Sequence, residues 1–237
     1  MDIKAVLKTV TQDYKTELDD VKLMQFEKYF NLLVEWNQKI NLTAITDVNG
    51  VAIKHFADSL TLFNYIDVPA GASIIDVGTG AGFPGVVLKI ARPDIKLTLL
   101  DSLNKRLSFL SMVLQSLDLE ADLIHSRAEQ GARNPKYREK YDFAVSRAVA
   151  RLNVLGEYCL PYVKTGGKFV ALKGPDAEDE VISAKSAIAQ LGGKVGSISK
   201  FDLPNNQGNR VIVAVDKIKN TPKQFPRTSQ KIKSNPL

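Results

Sequence analysis

A run of four glycines at the end of an apolar segment constrains the fold of this chain more than any other feature. Ser73–Val77 has the composition of a buried strand, and it leads directly into Gly78, Gly80, Gly82 and Gly85. Glycines are needed where a backbone turns sharply and where a ligand comes close, and Pro84 suits the first turn of a helix. The run therefore predicts a strand, a tight loop and a helix around a bound ligand.

Short apolar runs alternate with helical stretches after Ser73, which indicates an α/β fold with a parallel sheet. We predict strands over 73–77, 96–101, 121–125, 141–146 and 168–172, and helices near 84–92, 104–118, 151–163 and 175–191. Two further strands, 194–202 and 210–216, have no room for a helix between them and should form an antiparallel hairpin. This mostly parallel, seven-stranded, Rossmann-like layout is typical of class I methyltransferases, by analogy alone.

The first seventy residues are predicted to be helical. Apolar residues recur at three- and four-residue steps from Leu18 to Trp36, with Asp19 or Asp20 available as the N-cap. A polar connection follows, and a second amphipathic helix then carries Ile53, Phe56, Leu60 and Phe63.

Two nucleoside ligands are compatible with the glycine loop. Gly80, Gly82 and Gly85 match the G-x-G-x-x-G fingerprint of dinucleotide-binding proteins, so an NAD(P)-dependent oxidoreductase is one hypothesis. Asp76 weighs against it, because a carboxylate at the strand end would face a pyrophosphate of like charge. S-adenosylmethionine (SAM) has no phosphate and carries two cationic groups, so it is the favoured cofactor. A Walker-type P-loop is excluded, because no Gly-Lys-Ser/Thr closes the loop.

Acidic residues follow the next two predicted strands. Asp101 ends the second strand, where its carboxylate could accept hydrogen bonds from both ribose hydroxyls or could cap the following helix. It supports NAD as well as SAM. Ala128 and Glu129 follow the third strand, where an adenine edge would be recognised.

The net charge of +6 is concentrated at the C-terminus. Residues 217–237 contain six basic residues and no acid, so positions 1–216 are neutral overall. A basic tail on a neutral body indicates a polyanionic partner, nucleic acid first, although a tail that only aids solubility is the alternative. We therefore expect that removal of 217–237 weakens RNA binding and leaves SAM binding intact. We divide the chain into a helical extension (1–70), a SAM-binding domain (71–216) and this tail (217–237).

The composition indicates a cytoplasmic chain without membrane contact. No apolar run reaches the roughly 18 residues of a membrane span, and the first residues lack a signal peptide. A single cysteine, Cys159, and two histidines argue against a metal site.

Together the motifs resemble those of the glucose-inhibited division protein B family, bacterial small-subunit rRNA methyltransferases that make 7-methylguanosine in 16S rRNA. Besides the glycine loop, the resemblance rests on N-L-T (41–43), H-F-A-D-S-L (55–60), D-S-L-N-K-R (101–106), R-A-E (127–129), S-R-A (146–148) and L-K-G (172–174). It implies 16S rRNA or the 30S ribosomal subunit as partner, and we expect a monomer. A non-catalytic RNA-binding protein with a degenerate cofactor pocket is a further alternative to the methyltransferase. The family's usual tail, P-R-K-x-G-x-P, differs here, where Pro226 begins P-R-T-S-Q-K-I.

The resemblance also implies site residues. With the glycine loop and the ribose-binding acid, the predicted cofactor set is Asp76, Gly78, Gly80, Gly82, Phe83, Asp101, Ala128, Glu129 and Arg147. The RNA-facing set is Asn41, His55, Asp58 and Lys173, and Arg227 of the tail is a further candidate RNA contact.

The implied reaction needs no obligatory general base. N-7 of guanine is an unprotonated acceptor in the major groove, so catalysis would rest on positioning and desolvation. Arg147 and His55 are the positioning candidates. The structural alternatives are an ion pair between Arg147 and an acid such as Glu129, and a hydrogen-bonded structural role for His55. For Lys173, the alternative to a phosphate contact is a lysine lying along the surface.

Overall fold

A computed structural model of the chain describes residues 2–147 and 150–237; Met1, Ala148 of the S-R-A motif and Val149 lie outside the described residues. Its centre is a seven-stranded sheet in the order β3-β2-β1-β4-β5-β7-β6. The strands are β1 (Ser73–Val77), β2 (Lys96–Asp101), β3 (Asp122–His125), β4 (Tyr141–Arg147), β5 (Val163–Lys173), β6 (Gly193–Asp202) and β7 (Asn209–Lys217). β1–β5 are parallel, and β7 pairs antiparallel with β5 and β6. The predicted α/β fold and its terminal hairpin are confirmed.

Helices surround the sheet. They are α1 (Ile3–Val10), α2 (Asp20–Asn37), α3 (Val48–Val51), α4 (Asp58–Leu60), α5 (Leu62–Tyr65), α6 (Gly85–Ala91), α7 (Asn104–Leu117), α8 (Ala128–Gly131), α9 (Leu152–Cys159), α10 (Ala177–Gln190) and α11 (Ser229–Ser234). Asp19 caps α2, because its carboxylate accepts the Lys22 N–H at 2.8 Å. No helix of the described residues is long and apolar enough to cross a membrane.

Two sequence predictions about helices were wrong in detail. The second N-terminal helix is not regular, since a π-helical turn (Ala52–Ala57) separates α3 from α4 and carries His55. The helix predicted over 151–163 ends at Cys159, and a 3₁₀ turn containing Pro161 leads into β5 at Val163. Proline has no N–H with which to continue an α-helix, which accounts for the early end.

The N-terminal helices share one apolar core with the sheet. Phe26, Tyr29 and Leu33 of α2 are fully buried in the same cluster as Val86 and Leu110 of the α/β body. The Tyr29 hydroxyl donates to the Ala81 carbonyl at 2.5 Å, inside the glycine loop. The extension therefore supports the loop directly.

The chain after β7 folds back across α9 as a C-terminal strap, residues 218–237. Arg138 donates to the carbonyls of Phe225 (2.9 Å) and Thr221 (2.8 Å). Phe225 and Ile232 are buried in the cluster that includes α9. The strap is thus held on the body at Thr221, Phe225 and Ile232.

Two of the six basic residues of 217–237 are held by acids of the body. Lys217 is buried against Glu139 (3.2 Å), and burial lowers the pKa of Lys217 to about 8 despite the opposing effect of Glu139. Arg227 contacts Glu157 with Nε and Nη2 at 2.9 and 2.7 Å, and its backbone N–H donates to the same carboxylate at 2.7 Å. Glu157 is 1% exposed, so this pair anchors the strap in a buried setting.

We expect Arg227→Met to lower the free energy of unfolding by about 3 kcal/mol, because it leaves the Glu157 carboxylate buried without its cation. Urea unfolding of both proteins gives the measurement. Lys223→Met, which changes an exposed lysine of the same strap, is the matched control and should change stability by less than about 0.5 kcal/mol. Equal stabilities of Arg227→Met and wild type would contradict an anchoring role.

Candidate functional site

A cavity of about 710 Å³ opens at the C-terminal ends of the parallel strands. It lies where the strand order reverses between β1 and β4, the usual ligand position in open α/β sheets, and its volume is ordinary for a small-molecule site. The lining includes His55, Gly78, Thr79, Gly80, Phe83, Asp101, Arg106, Arg127, Ala128, Glu129, Arg147, Tyr158, Ser229 and Lys233.

The four glycines serve two different purposes. Gly80 has φ +60°, and a Cβ there would meet nothing closer than the Gly78 carbonyl at 4.0 Å, so its free side faces the cavity. A Cβ on Gly82 would lie 2.5 Å from the Tyr29 hydroxyl, and one on Gly85 would lie 2.5 Å from Leu99. Gly78 and Gly80 line the cavity, whereas Gly82 and Gly85 allow close packing beneath it.

Asp76 is buried under the loop and does not line the cavity. Its Oδ2 accepts from the Thr79 hydroxyl at 2.7 Å and from the Gly85 N–H at 2.8 Å, which ties both ends of the loop to β1. Oδ1 is buried without a hydrogen-bond partner among the described residues. Burial raises the pKa of Asp76 to about 6, although these two hydrogen bonds oppose the shift.

Asp101 reaches the cavity from the end of β2. Its Oδ2 accepts the Gly80 N–H at 3.0 Å and faces Arg106 at 3.4 Å, while Oδ1 accepts the Leu103 N–H at 2.9 Å just before α7. Asp101 therefore fixes the tip of the glycine loop and remains part of the cavity lining.

The opposite side of the cavity is formed by α8 and α9. Ala128 and Glu129 lie at the start of α8, and the Ala128 carbonyl accepts the Tyr162 hydroxyl at 2.7 Å. Glu129 is 7% exposed and forms no ion pair with a described basic residue. Glu129 lines the cavity.

Arg147, Phe83 and His55 form a stack at one end of the cavity. The guanidinium lies 5.0 Å from the Phe83 ring centroid, and the His55 ring stacks on Phe83 at 4.5 Å. Arg147 donates to the Lys54 carbonyl at 2.9 Å and pairs with Asp58 at 3.1 Å. Its acidic partner is therefore Asp58, whereas the sequence suggested an acid such as Glu129.

His55 contacts polar groups through both ring nitrogens. Nδ1 lies 3.1 Å from an Arg147 nitrogen, which only donates, and 3.1 Å from the Lys54 carbonyl, which only accepts. Nε2 lies 2.7 Å from the Thr43 hydroxyl. Burial, with the Arg147 charge second, lowers the pKa of His55 to about 3.

A smaller cavity of about 380 Å³ adjoins the first and shares His55 and Arg147 with it. Basic side chains surround it: Lys54, Arg147, Lys173 and Arg210. We name it the basic groove. Lys173 pairs with Glu180 at 2.8 Å and donates to the Ala150 carbonyl at 2.9 Å, and Arg210 lies 3.4 Å from Asp58.

The predicted RNA-facing residues do not all meet. His55, Asp58 and Lys173 line the basic groove, although Asp58 is buried between two arginines. Asn41 is exposed and lines neither cavity, while its neighbours Leu42 and Thr43 line the larger one. Arg227 is engaged by Glu157 and lines neither cavity.

Sequence reasoning missed Arg210, Ser229 and Lys233. Arg210 adjoins Lys173 because antiparallel pairing sets Val211 opposite Lys173, so the predicted hairpin, paired with β5, could have located it. Ser229 and Lys233 reach the cavity only through the fold of the strap, for which the sequence carries no local signal.

We expect His55→Gln to reduce the loss of stability in mild acid. The pKa of His55 is about 3 in the folded chain and about 6.5 unfolded, so between these values the unfolded state binds an extra proton. Stability therefore falls as the pH drops below about 6.5, by at most about 1.4 kcal/mol per pH unit from this group.

Urea unfolding at about pH 7 and about pH 5.5 tests this: the decrease should be smaller in His55→Gln than in wild type. His125→Gln replaces an exposed histidine outside both cavities and should retain the wild-type decrease. An identical decrease in His55→Gln would show that His55 is not buried as a neutral ring.

Comparison with known proteins identifies the family. The family model described as rRNA small subunit methyltransferase G matches residues 22–209. "Ribosomal RNA small subunit methyltransferase G" of Desulforamulus reducens is 48% identical over 227 residues, 95% of each chain. The protein of the same name from Alkaliphilus oremlandii is 49% identical over 238 residues and the full length of both chains.

Solved structures agree on the fold. A precorrin-6y C5,15-methyltransferase from Geobacter metallireducens matches with a TM-score of 0.52 and 13% identity, over 75% of this chain and 91% of that one. A 16S rRNA (adenine(1408)-N(1))-methyltransferase variant from Catenulisporales acidiphilia matches with a TM-score of 0.51 and 15% identity, over 65% and 88%. The fold is that of class I methyltransferases, and the chain belongs to the rRNA small subunit methyltransferase G family.

Proposed function

We propose that this chain transfers the methyl group of SAM to N-7 of a guanine in 16S rRNA of the small ribosomal subunit. The observation that carries the proposal is the junction of two cavities: a nucleoside-sized one at the glycine loop and the basic groove share His55 and Arg147. A transferase for RNA needs its cofactor and its polyanionic substrate to meet at one point, and this junction supplies it.

The residues present fit SAM. The open side of Gly80 admits a ligand against the backbone, Asp101 is positioned to accept from ribose hydroxyls, and Glu129 offers an unpaired carboxylate to an adenine edge or to a cation. With Gly78, Phe83, Ala128 and Arg147 these residues form the cofactor contacts of the proposal. Asp76 and Gly82 act from beneath, by holding and accommodating the loop.

The oxidoreductase alternative finds no support in these contacts. A dinucleotide would need donors for its pyrophosphate at the glycine loop, whereas Asp101 already occupies the Gly80 N–H. The non-catalytic RNA-binding alternative leaves the lined, nucleoside-sized cavity unexplained.

Methyl transfer requires that the cofactor and the guanine be positioned, and it requires no general base. Bound SAM supplies a methyl group on a cationic sulfur, which an unprotonated ring nitrogen can attack. His55 does not take up a proton near pH 7, because its pKa is about 3. The Phe83–His55–Arg147 stack forms a wall against which the guanine ring is oriented and from which water is displaced.

The basic groove binds the rRNA backbone. Lys54 and Arg210 supply positive charge beside the junction, and Lys173 can exchange its Glu180 partner for a phosphate. Asp58 orients Arg147 and Arg210 and does not itself contact RNA, since it is 4% exposed between them. Asn41 contributes at the exposed rim, next to Leu42 and Thr43. The helical extension (1–70) and the domain at 71–216 thus build the RNA site together.

We expect Asp101→Ala to raise the Kd for SAM about 10- to 100-fold, the effect of losing charge-assisted hydrogen bonds. Isothermal titration calorimetry on the RNA-free protein measures it. Asp122→Ala removes an exposed carboxylate at the start of β3 and should leave the Kd unchanged. If both variants bound SAM like wild type, the ribose assignment of Asp101 would be wrong.

We expect methyl transfer from labelled SAM to 16S rRNA, tested with deproteinised rRNA and with 30S subunits that lack the modification. Chain cleavage specific for 7-methylguanosine should then occur at one site. Transfer RNA serves as the control acceptor and should remain unlabelled. Label without that cleavage would reject N-7, and SAM binding without label in either rRNA sample would reject the substrate.

A further inference from the structure

One side of the larger cavity comes from the strap, outside the α/β body. Ser229 and Lys233 of α11 line the cavity together with Glu129 of α8 and with Val154 and Tyr158 of α9. Burial raises the pKa of Tyr158, and its neighbour Ser229 opposes that shift. The strap therefore lines the cavity together with α8 and α9.

The contacts of α11 explain how it is held there. Ser229 and Lys233 are four residues apart and share one face of the helix. Ile232 is fully buried in the α9 cluster. Lys231 and Lys233 are both exposed, but Lys233 lines the cavity and Lys231 does not. At its start, α11 follows directly on Arg227, whose guanidinium binds Glu157 of α9 and also donates to the Asn235 carbonyl at 3.0 Å. The ion pair fixes both ends of α11 against the helix that lines the cavity.

We propose that α11 is a wall of the cofactor pocket and that Lys233 and Ser229 donate hydrogen bonds to the nucleoside end of SAM. This rests on the proposed function. The adenine ring presents acceptor nitrogens, and the lysine ammonium and serine hydroxyl are donors facing the cavity from the α8–α9 side. Glu129, on the same side, supplies the complementary acceptor for the adenine amino group.

The proposal changes the role of the basic C-terminal segment. The sequence suggested that 217–237 binds RNA and is dispensable for SAM. Lys217 and Arg227 are engaged by acids of the body, and in our proposal Lys233, which lines the cavity, contacts the cofactor. Loss of the strap should therefore weaken SAM binding even when no RNA is present.

The test compares Lys233→Ala and Ser229→Ala with Lys231→Ala, by calorimetric titration of SAM into the RNA-free protein. We expect Lys233→Ala to raise the Kd about tenfold and Ser229→Ala about fivefold, the range for a lost hydrogen bond, with Lys231→Ala unchanged. Filter binding to 16S rRNA should be the same for Lys233→Ala and Lys231→Ala. An unchanged Kd for SAM with weakened RNA binding in Lys233→Ala would overturn the proposal in favour of an RNA contact.

A second measurement, on the wild-type protein, distinguishes failure of the strap proposal from failure of the proposed function. SAM should slow amide hydrogen exchange in 229–234 of the wild-type chain as well as in the glycine loop. Protection of the loop without protection of α11 would overturn the strap proposal and leave the cofactor assignment standing. Absence of SAM binding in the wild type would instead reject the proposed function on which it rests.

Discussion

The site depends on one buried carboxylate, Asp76, because it fixes the loop around which every other group is arranged. Its Oδ2 joins the end of β1 to Thr79 and to the first residue of α6, which ties strand, loop and helix together. Asp101 then holds the loop tip through the Gly80 N–H. Burying such a charge is costly unless it is hydrogen-bonded. The two bonds to Asp76 offset only part of that cost, because its pKa is still raised to about 6.

How far the sequence predicts this site depends on whether a residue's role is local. The glycine loop, Asp101 and the α8 pair could be located because strand ends of a parallel sheet meet at one edge. The separate roles of Gly80 and Gly82 could not be predicted. What distinguishes Gly82 is its close packing against Tyr29, about fifty residues earlier in the sequence, and against Val86 and Leu110. The Asp58–Arg147 pair also joins two segments that are distant in sequence, and no spacing in the sequence predicts it.

At the junction of the two cavities, some charged side chains pair with each other and others remain available to the substrate. Arg147 and Arg210 both lie on Asp58, so one buried acid holds two cations at a place where they would otherwise repel each other. The π-helical turn places the Lys54 carbonyl where it accepts a hydrogen bond from Arg147. A neutral His55 adds a polar contact without a further positive charge. The arrangement orders an arginine beside an aromatic wall while the rest of the groove remains basic.

A buried ion pair also holds the strap, which lines another part of the cavity. Buried ion pairs contribute little net stability, yet they specify which segment docks where, because breaking one leaves an unpaired charge. Glu157 of α9 offers Arg227 a bidentate, buried partner. In the same segment Ile232 is buried in the apolar cluster and Lys233 lines the cavity. A segment that resembles a solvated basic tail in the sequence is therefore held against the body, beside the cavity that we propose for the cofactor.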